Sequence, residues 1–243
     1  MCTTDYDNQT DYKTLKQSVV GYCENPDVLR THSESDWNEC HNAFSLARKQ
    51  CKYDDDELCY LLNRYLVSWG MTRNSFVEAD NHTIHRTAVR IILDPCYDSL
   101  QDISCSTYTH HPANYNKLDC IIDRLNTVYL PIRAEIKQNY SIRAPISSTL
   151  ISKILLGTLC CVPAYDNRFP EGLYTFDNHC IKTFGIRSIR RLTHQFDSSK
   201  IKNIVYHNHT IAGTTYYYPD MKLIDMACWQ AEEKNKRSKG PRP

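Results

Sequence analysis

Residues 147–166 read SSTLISKILLGTLCCVPAYD and decide the fold. Ser147-Ser148-Thr149 supplies polar residues that favour a helix start, and Leu150, Ile151, Ile154, Leu155 and Leu159 follow at helical spacing. This pattern predicts a buried helix with Lys153 lying off its apolar face. The turn from Cys160 to Pro163 ends the helix, and Asp166 then either caps the next segment or faces a cleft.

Similar apolar periods occur along most of the chain. Trp37 to Cys51, Leu58 to Trp69, Ile84 to Ile92 and Leu118 to Ile136 each predict a helix, with Pro131 marking a kink or a break in the last. After Pro170 we expect helices over about 177–184, 186–197 and 219–234. Residues 96–114 are expected to form a long loop, and residues near 203–218 either a small hairpin or an ordered loop.

These patterns predict a mainly α-helical protein with a single compact helical domain or a two-lobed helical core. We divide it into a lead-in over 1–30, a helical domain over 31–234 and a basic, disordered tail over 235–243. The N-terminal stretch lacks the basic and apolar regions of a secretory signal, and no apolar run is long enough to span a bilayer. We therefore expect an intracellular protein with no membrane partner, whose 12 cysteines are mostly reduced and packed.

The sequence offers few conventional cofactor sites. It contains no C-x-x-C, no H-E-x-x-H and no zinc-finger spacing, so we expect no metal. With only 7 glycines it has neither a dinucleotide-binding nor a P-loop pattern, and no G-x-S-x-G occurs. We expect no cofactor, and hydride transfer, ATP chemistry and serine hydrolysis lose support.

Charge is distributed unevenly. From Lys182 to the C-terminus there are 12 Lys and Arg against 5 Asp and Glu, whereas the preceding part is acidic. Within IRSIRRLTHQF a basic stripe lies along one predicted helix face, formed by Arg187, Arg190, Arg191 and His194. Arginine on a fixed face suits phosphate oxygens, so the stripe indicates either a DNA or RNA contact or an ordinary solvated surface.

A family resemblance adds a functional expectation. One stretch resembles the helix-hairpin-helix DNA glycosylase superfamily. It contains, in order, Ser-Lys-Ile-Leu, an apolar turn with a proline, Tyr-Asp, a basic residue and an aromatic residue. The resemblance implies that Asp166 faces a flipped nucleotide as the catalytic carboxylate, while Lys153 positions the helix or meets a phosphate. Residues 143–152, RAPISSTLIS, depart from that superfamily because they lack the glycines of its hairpin.

Two further segments resemble proteins of unknown function. MKLIDMACWQ, residues 221–230, is similar to an Asp-x-Ala-x-Trp segment of uncharacterised relatives, and YLVSWGMTR with GTLCCVPAYD resembles an intracellular bacterial family. On a flipped-base mechanism the pocket candidates are Tyr165, Trp69, Trp229 and Asp225, with Arg73 as a further phosphate contact. For the aromatics the alternative is core packing, for Asp225 a salt bridge with Lys222, and for Arg73 a pair with Glu78.

Two functions therefore remain open from the sequence. The first is a nucleic-acid-binding helical protein with DNA N-glycosylase-like hydrolase activity. The second is a non-enzymatic helical scaffold or interaction protein that uses its basic C-terminal region for a nucleic-acid or protein partner. The missing hairpin glycines favour the second function, and the Tyr-Asp after proline favours the first.

Overall fold

The computed structural model describes residues 5–26, 28, 33–73, 75–136, 146–196, 208–211 and 214–239. The helices are α1 (Asp5–Cys23), α2 (Ser33–Gln50), α3 (Asp55–Ser68), α4 (Arg86–Ile92), α5 (Cys105–His110), α6 (Ala113–Ile136), α7 (Ser148–Thr158), α8 (Phe169–Leu173), α9 (Ile186–Gln195) and α10 (Asp220–Lys239). Two 3₁₀ helices span His82–His85 and Pro95–Leu100, and strands β1 (Asn208–Ile211) and β2 (Thr214–Tyr217) form an antiparallel hairpin. The protein is mainly α-helical, as the sequence predicts.

Helix α7 lies at the centre of the core. Ser147 caps its first turn by accepting a hydrogen bond from the Leu150 amide, and every residue from Leu150 to Thr158 is buried. A helix that is buried on all sides has no solvent face, so the expectation that Lys153 lies off the buried face is wrong. Gly157 allows the Tyr65 ring to lie directly against the helix, where a Cβ atom would overlap it.

Most of the strongly periodic segments form the predicted helices. Helix α3 begins at the predicted acidic cluster, where Asp54 accepts a hydrogen bond from the Asp56 amide. The helix ends at Ser68, and Gly70 follows two residues later with a φ of 75°, a conformation that glycine adopts without strain. Helix α6 continues through Pro131, so the proline does not break it.

Other expectations were wrong. Residues 96–114 contain most of the second 3₁₀ helix, all of α5 and the start of α6 instead of a long loop, because capping by Asp94 and Ser104 starts short helices there. Residues 177–184 form turns, whereas the unpredicted helix α8 precedes them.

Both chain ends contribute more structure than predicted. The lead-in contains α1, which packs against α10 and buries Leu15, Val19 and Tyr22. Helix α10 extends to Lys239 and so includes the first five residues of the predicted disordered tail. Residues 1–4 and 240–243, and residues 203–207 and 212–213 of the predicted hairpin, lie outside the described residues.

A buried histidine joins three helical segments. His85 accepts a hydrogen bond at Nδ1 from the Tyr129 hydroxyl (2.7 Å) and donates from Nε2 to Asn63 Oδ1 (3.1 Å). The tautomer follows from Asn63, whose amide nitrogen already donates to the carbonyls of Glu78 and Ala79. Burial lowers the pKa of His85 to about 3, so its ring is neutral at physiological pH.

Candidate active site

A cleft of about 420 Å³ opens where five helices and one connecting segment meet. The lining side chains come from the end of α1, the start of α2, the end of α3, the middle of α7, the turn before α8 and the middle of α10. They include both aromatic and charged residues, among them Tyr22, Ser33, Trp69, Arg73, Lys153, Asp166, Arg168 and Trp229. Five residues that the sequence analysis named as site candidates thus line one cavity: Trp69, Arg73, Lys153, Asp166 and Trp229.

Asp166 has a different environment at each carboxylate oxygen. Oδ1 accepts hydrogen bonds from the backbone amides of Arg168 (2.9 Å) and Phe169 (3.1 Å), which caps the turn leading into α8. Oδ2 lies 3.7 Å from Lys153 Nζ, and the side chain is 25% exposed. The two alternatives for this aspartate are therefore both realised, because one oxygen fixes the local backbone and the other faces the cleft.

Lys153 reaches the cleft from the centre of the core. Its Nζ donates to the Trp69 carbonyl at 2.9 Å, and only 6% of its side chain is exposed. Burial lowers the pKa of Lys153, whereas the nearby carboxylates of Asp166 and Asp225 oppose this shift. The amine is thus held beside a carboxylate in a site that water reaches poorly.

The two tryptophans of the cleft are held by different contacts. Trp69 donates its indole N–H to the Ser33 carbonyl at 3.1 Å. Trp229 lies edge-on to Tyr22, with 5.4 Å between ring centroids, and the Arg168 guanidinium lies 4.8 Å from its indole centroid. Each aromatic therefore presents a positioned surface to the cavity, which is a condition for stacking a planar ligand.

Arg73 lines the exposed end of the cleft. It follows Gly70 and is solvent-exposed, and within the described part of the chain its guanidinium makes no ion pair. The alternative pairing with Glu78 does not occur in the structure. Arg73 is therefore available to an anionic ligand at the mouth of the cavity.

A buried ion pair lies directly behind the cleft. Lys222 is fully buried and donates to Glu34 Oε1 at 2.8 Å, and Glu34 also accepts hydrogen bonds from the hydroxyls of Tyr22 and Tyr218. The ammonium lies 4.6 Å from the Trp69 ring centroid. The sequence analysis missed this network, since Glu34 stands where helix starts ordinarily carry acidic residues. The available signal was Lys222 within the largely apolar stretch MKLIDMACW.

Asp225 supports the wall of the cleft from behind. It is buried, and its Oδ1 accepts a hydrogen bond from the Ala164 amide at 2.9 Å, two residues before Asp166. Burial raises the pKa of Asp225 to about 7; the charge of Asp166 adds to the increase and that of Lys222 opposes it. The predicted alternative of a salt bridge with Lys222 does not occur, because that lysine pairs with Glu34.

Tyr165 belongs to the core and does not line the cleft. Its ring packs between Phe169 and Phe184, with centroid distances of 4.7 and 5.2 Å, and the residue is 5% exposed. Successive residues of the extended turn point in opposite directions, so Asp166 faces the cleft while Tyr165 faces inward. The expectation that Tyr165 contacts a base is therefore wrong.

The basic stripe forms a separate surface on α9. Its four residues are exposed, and the opposite face buries Ile189, Leu192 and Phe196, as the sequence pattern predicts. Arg191 makes a bidentate ion pair with Asp177, with both distances 2.7 Å, and Arg190 lies 4.3 Å from the Tyr115 ring centroid. None of the four stripe residues lines the cleft.

No protein-family model matches this chain, and the searches of characterised proteins and of solved structures found no match either. Within the described ranges, no helix combines the length and the apolar character that a bilayer span requires.

Proposed function

We propose that the chain binds nucleic acid, accepts one nucleotide in the cleft and hydrolyses its N-glycosidic bond. The observation that carries the proposal is the carboxylate of Asp166, which is anchored through one oxygen and presents the other to a cavity lined by Trp69 and Trp229. The cavity volume of about 420 Å³ falls within the range of small-molecule sites, about 300–1,000 Å³. An enzyme that acts on a base must first take that base out of the helical stack.

The charges of the cleft fit a nucleotide. Arg73 lies at its lining, where a guanidinium can bind phosphate oxygens through two donors. The Arg168 guanidinium also lines the cleft, but it donates to Glu233 at 3.2 Å. The tryptophans supply aromatic surface for a base, and stacking of this kind contributes about 1–3 kcal/mol per base. A carboxylate beside the sugar then meets the positive charge that develops there.

The proposed reaction is a hydrolysis in which atoms and electrons balance. The bond between C1′ of the sugar and the base nitrogen breaks, and its electron pair leaves with the base. The free oxygen of Asp166 stabilises the oxocarbenium-like sugar and accepts a proton from the attacking water, whose oxygen forms the new bond to C1′. The departing base takes up a proton, so the products are a free base and an abasic sugar.

Lys153 and Asp225 support that carboxylate. The Lys153 ammonium lies 3.7 Å from Asp166 Oδ2 and faces the oxygen that points into the cleft. Asp225 holds the Ala164 amide and so fixes the backbone that leads into Asp166. We therefore assign both as positioning residues. Because the hairpin glycines are absent, a phosphate must be contacted by other groups.

The test compares wild-type protein with Asp166→Asn on a panel of labelled duplexes, each carrying one damaged or mismatched base. We expect the wild type to release a base from at least one duplex and the variant to lose about 100-fold or more in rate. Asp80→Asn is the matched control, because Asp80 is exposed and does not line the cleft. A wild-type protein that releases no base, or an active Asp166→Asn, contradicts the enzymatic proposal.

Binding is measured separately on the same duplexes and on single strands. Asp166→Asn should retain affinity, whereas Trp69→Ala and Arg73→Ala should reduce it. Retained binding without base release by the wild type identifies a non-enzymatic nucleic-acid-binding protein. The basic stripe is tested in parallel, since Arg187→Ala should weaken binding and lower its dependence on salt concentration. Salt-insensitive binding contradicts the role of the stripe.

A further inference from the structure

A second group of chemically reactive side chains lies outside the cleft. A nitrogen of His41, a carboxylate oxygen of Asp102 and the sulfur of Cys160 all lie within 4.8 Å of one another. These residues come from α2, from the turn after the second 3₁₀ helix and from the end of α7. Histidine nitrogen, carboxylate oxygen and cysteine sulfur are the three ligand types that zinc uses in proteins.

The shape of the cluster favours a cation over a catalytic triad. His41 Nε2 lies 2.7 Å from Asp102 Oδ1 and 3.2 Å from the Gln101 amide nitrogen, so two polar groups converge on a single ring nitrogen. A nucleophilic triad instead requires the carboxylate and the nucleophile on opposite nitrogens of the ring. Asp102 and Gln101 thus share one ring nitrogen of His41, and the Cys160 sulfur lies within 4.8 Å of the histidine and aspartate donors.

The surrounding structure fixes the three donors in place. The His41 ring stacks on Trp37 with an interplanar angle of 9°, and the Trp37 indole N–H donates to the Leu156 carbonyl at 3.1 Å. The Asp102 amide donates to the Leu159 carbonyl at 2.9 Å, which ties the two loops together. Such orientation of ligands by neighbouring groups is typical of metal sites.

Two further observations point to a ligand at this position. Asp102 and Cys160 have φ values of 52° and 47°, a conformation that costs a residue other than glycine free energy and that is concentrated at functional sites. The side-chain amide oxygen of Gln101, Oε1, is buried and accepts no hydrogen bond within the described part of the chain. A half-turn of this amide places that oxygen beside His41 Nε2, where it completes a set of four donors.

We propose that His41, Asp102 and Cys160 bind a divalent transition-metal ion of the zinc class, with the Gln101 carbonyl oxygen as a fourth ligand. The ion replaces the proton between His41 and Asp102, and the Cys160 thiol binds as a thiolate and releases its proton to solvent. Tetrahedral zinc requires donor spacings of about 3.3–3.8 Å, so the 2.7 Å between His41 Nε2 and Asp102 Oδ1 must widen when the ion enters, whereas the other spacings lie within 4.8 Å. Asp102 is 33% exposed, which gives the ion a path from solvent.

The experiment uses the full chain, reduced and freed of metal by a chelator, and titrates it with Co²⁺ alone. We expect one strongly bound ion per chain, proton release on binding and a thiolate-to-cobalt charge-transfer absorption, and Zn²⁺ should abolish the absorption by displacing Co²⁺. Cys160→Ser should abolish the charge-transfer band. Cys161→Ser is the matched control, because this neighbouring buried thiol lies outside the cluster and its loss should leave the band unchanged.

Asp102→Asn provides a second variant in case Cys160→Ser fails to fold, because Asp102 is partly exposed. It should weaken Co²⁺ affinity by at least about tenfold while the thiolate band persists at saturation. Absence of the band in wild-type protein, its persistence in Cys160→Ser, or unchanged affinity in Asp102→Asn would overturn the proposal.

Discussion

Removal of the Lys222 ammonium tests how the buried charges behind the cleft are held. In Lys222→Met an apolar chain of similar length replaces the lysine, and the Glu34 carboxylate stays buried without its cation. The pair is 2.8 Å apart, with side-chain exposures of 0% and 3%, so water cannot take the place of the lost partner. Breaking a buried pair of this kind costs about 3–5 kcal/mol.

Urea denaturation provides the assay. A loss of that size lowers the midpoint by about 1–2 M for a slope of about 2–3 kcal/mol per molar. The double variant Lys222→Met with Glu34→Gln should lose less free energy of unfolding than the sum of the losses in the two single variants, because it leaves no buried charge without a partner. Lys182→Met is the matched control. Lys182 and its partner Glu171 are both exposed, so the urea midpoint of this variant should equal that of the wild type. A Lys222→Met midpoint close to wild type, or strictly additive losses, would refute the reasoning.

Three further predictions concern pH and packing. The raised pKa of Asp225 means that stability is lost as pH rises from about 4, the unfolded value, to about 7, so Asp225→Asn should gain stability relative to wild type in urea unfolding across that window. The lowered pKa of His85 has the opposite effect, because stability is lost as pH falls from about 6.5 towards about 3. In thermal melts followed by circular dichroism, His85→Gln should reduce the loss of stability over that acidic range. Gly157→Ala should destabilise by about 1–3 kcal/mol in the same melts, because its Cβ overlaps the Tyr65 ring, and an unchanged melting temperature contradicts that close contact.

Helices with long apolar periods could be predicted from the sequence, and short capped elements could not. Helix α3 combines a period of three turns with acidic residues at its start, so local physics alone specifies it. Helix α5 has only six residues and begins at the Ser104 cap, a length over which periodicity carries little information. The same limit explains why residues 177–184 were assigned to a helix.

The accuracy of the site prediction depended on which side chains point out of the core. The structure places Trp69, Lys153 and Asp166 in one cleft. Each of them follows or interrupts a strong apolar period, and this pattern made them recognisable in the sequence. Tyr165 has the same signal yet points inward, since one residue along an extended turn reverses the direction of the side chain. Sequence spacing cannot resolve that choice.

The cluster of His41, Asp102 and Cys160 shows a different limit. Zinc motifs are recognised from ligands that stand a few residues apart, whereas successive donors here lie about sixty residues apart along the chain and meet only when distant segments such as α2 and α7 pack together. A search for closely spaced ligands therefore cannot detect this group of residues in the sequence. Contact between distant helices, which no single local period encodes, brings these donors together.

The charges around Trp69 explain why the cleft is not simply an imperfection of packing. Lys153, Lys222 and Asp225 are buried among the apolar residues of helices α7 and α10, although well-packed hydrophobic side chains in such places are often as stabilising or more so. These groups fix the Trp69 carbonyl, the Trp69 ring and the backbone before Asp166, so the polar network acts on the walls of one cavity. Each of these buried groups therefore contacts or supports a residue that lines the cleft, at a cost that a purely apolar core would avoid.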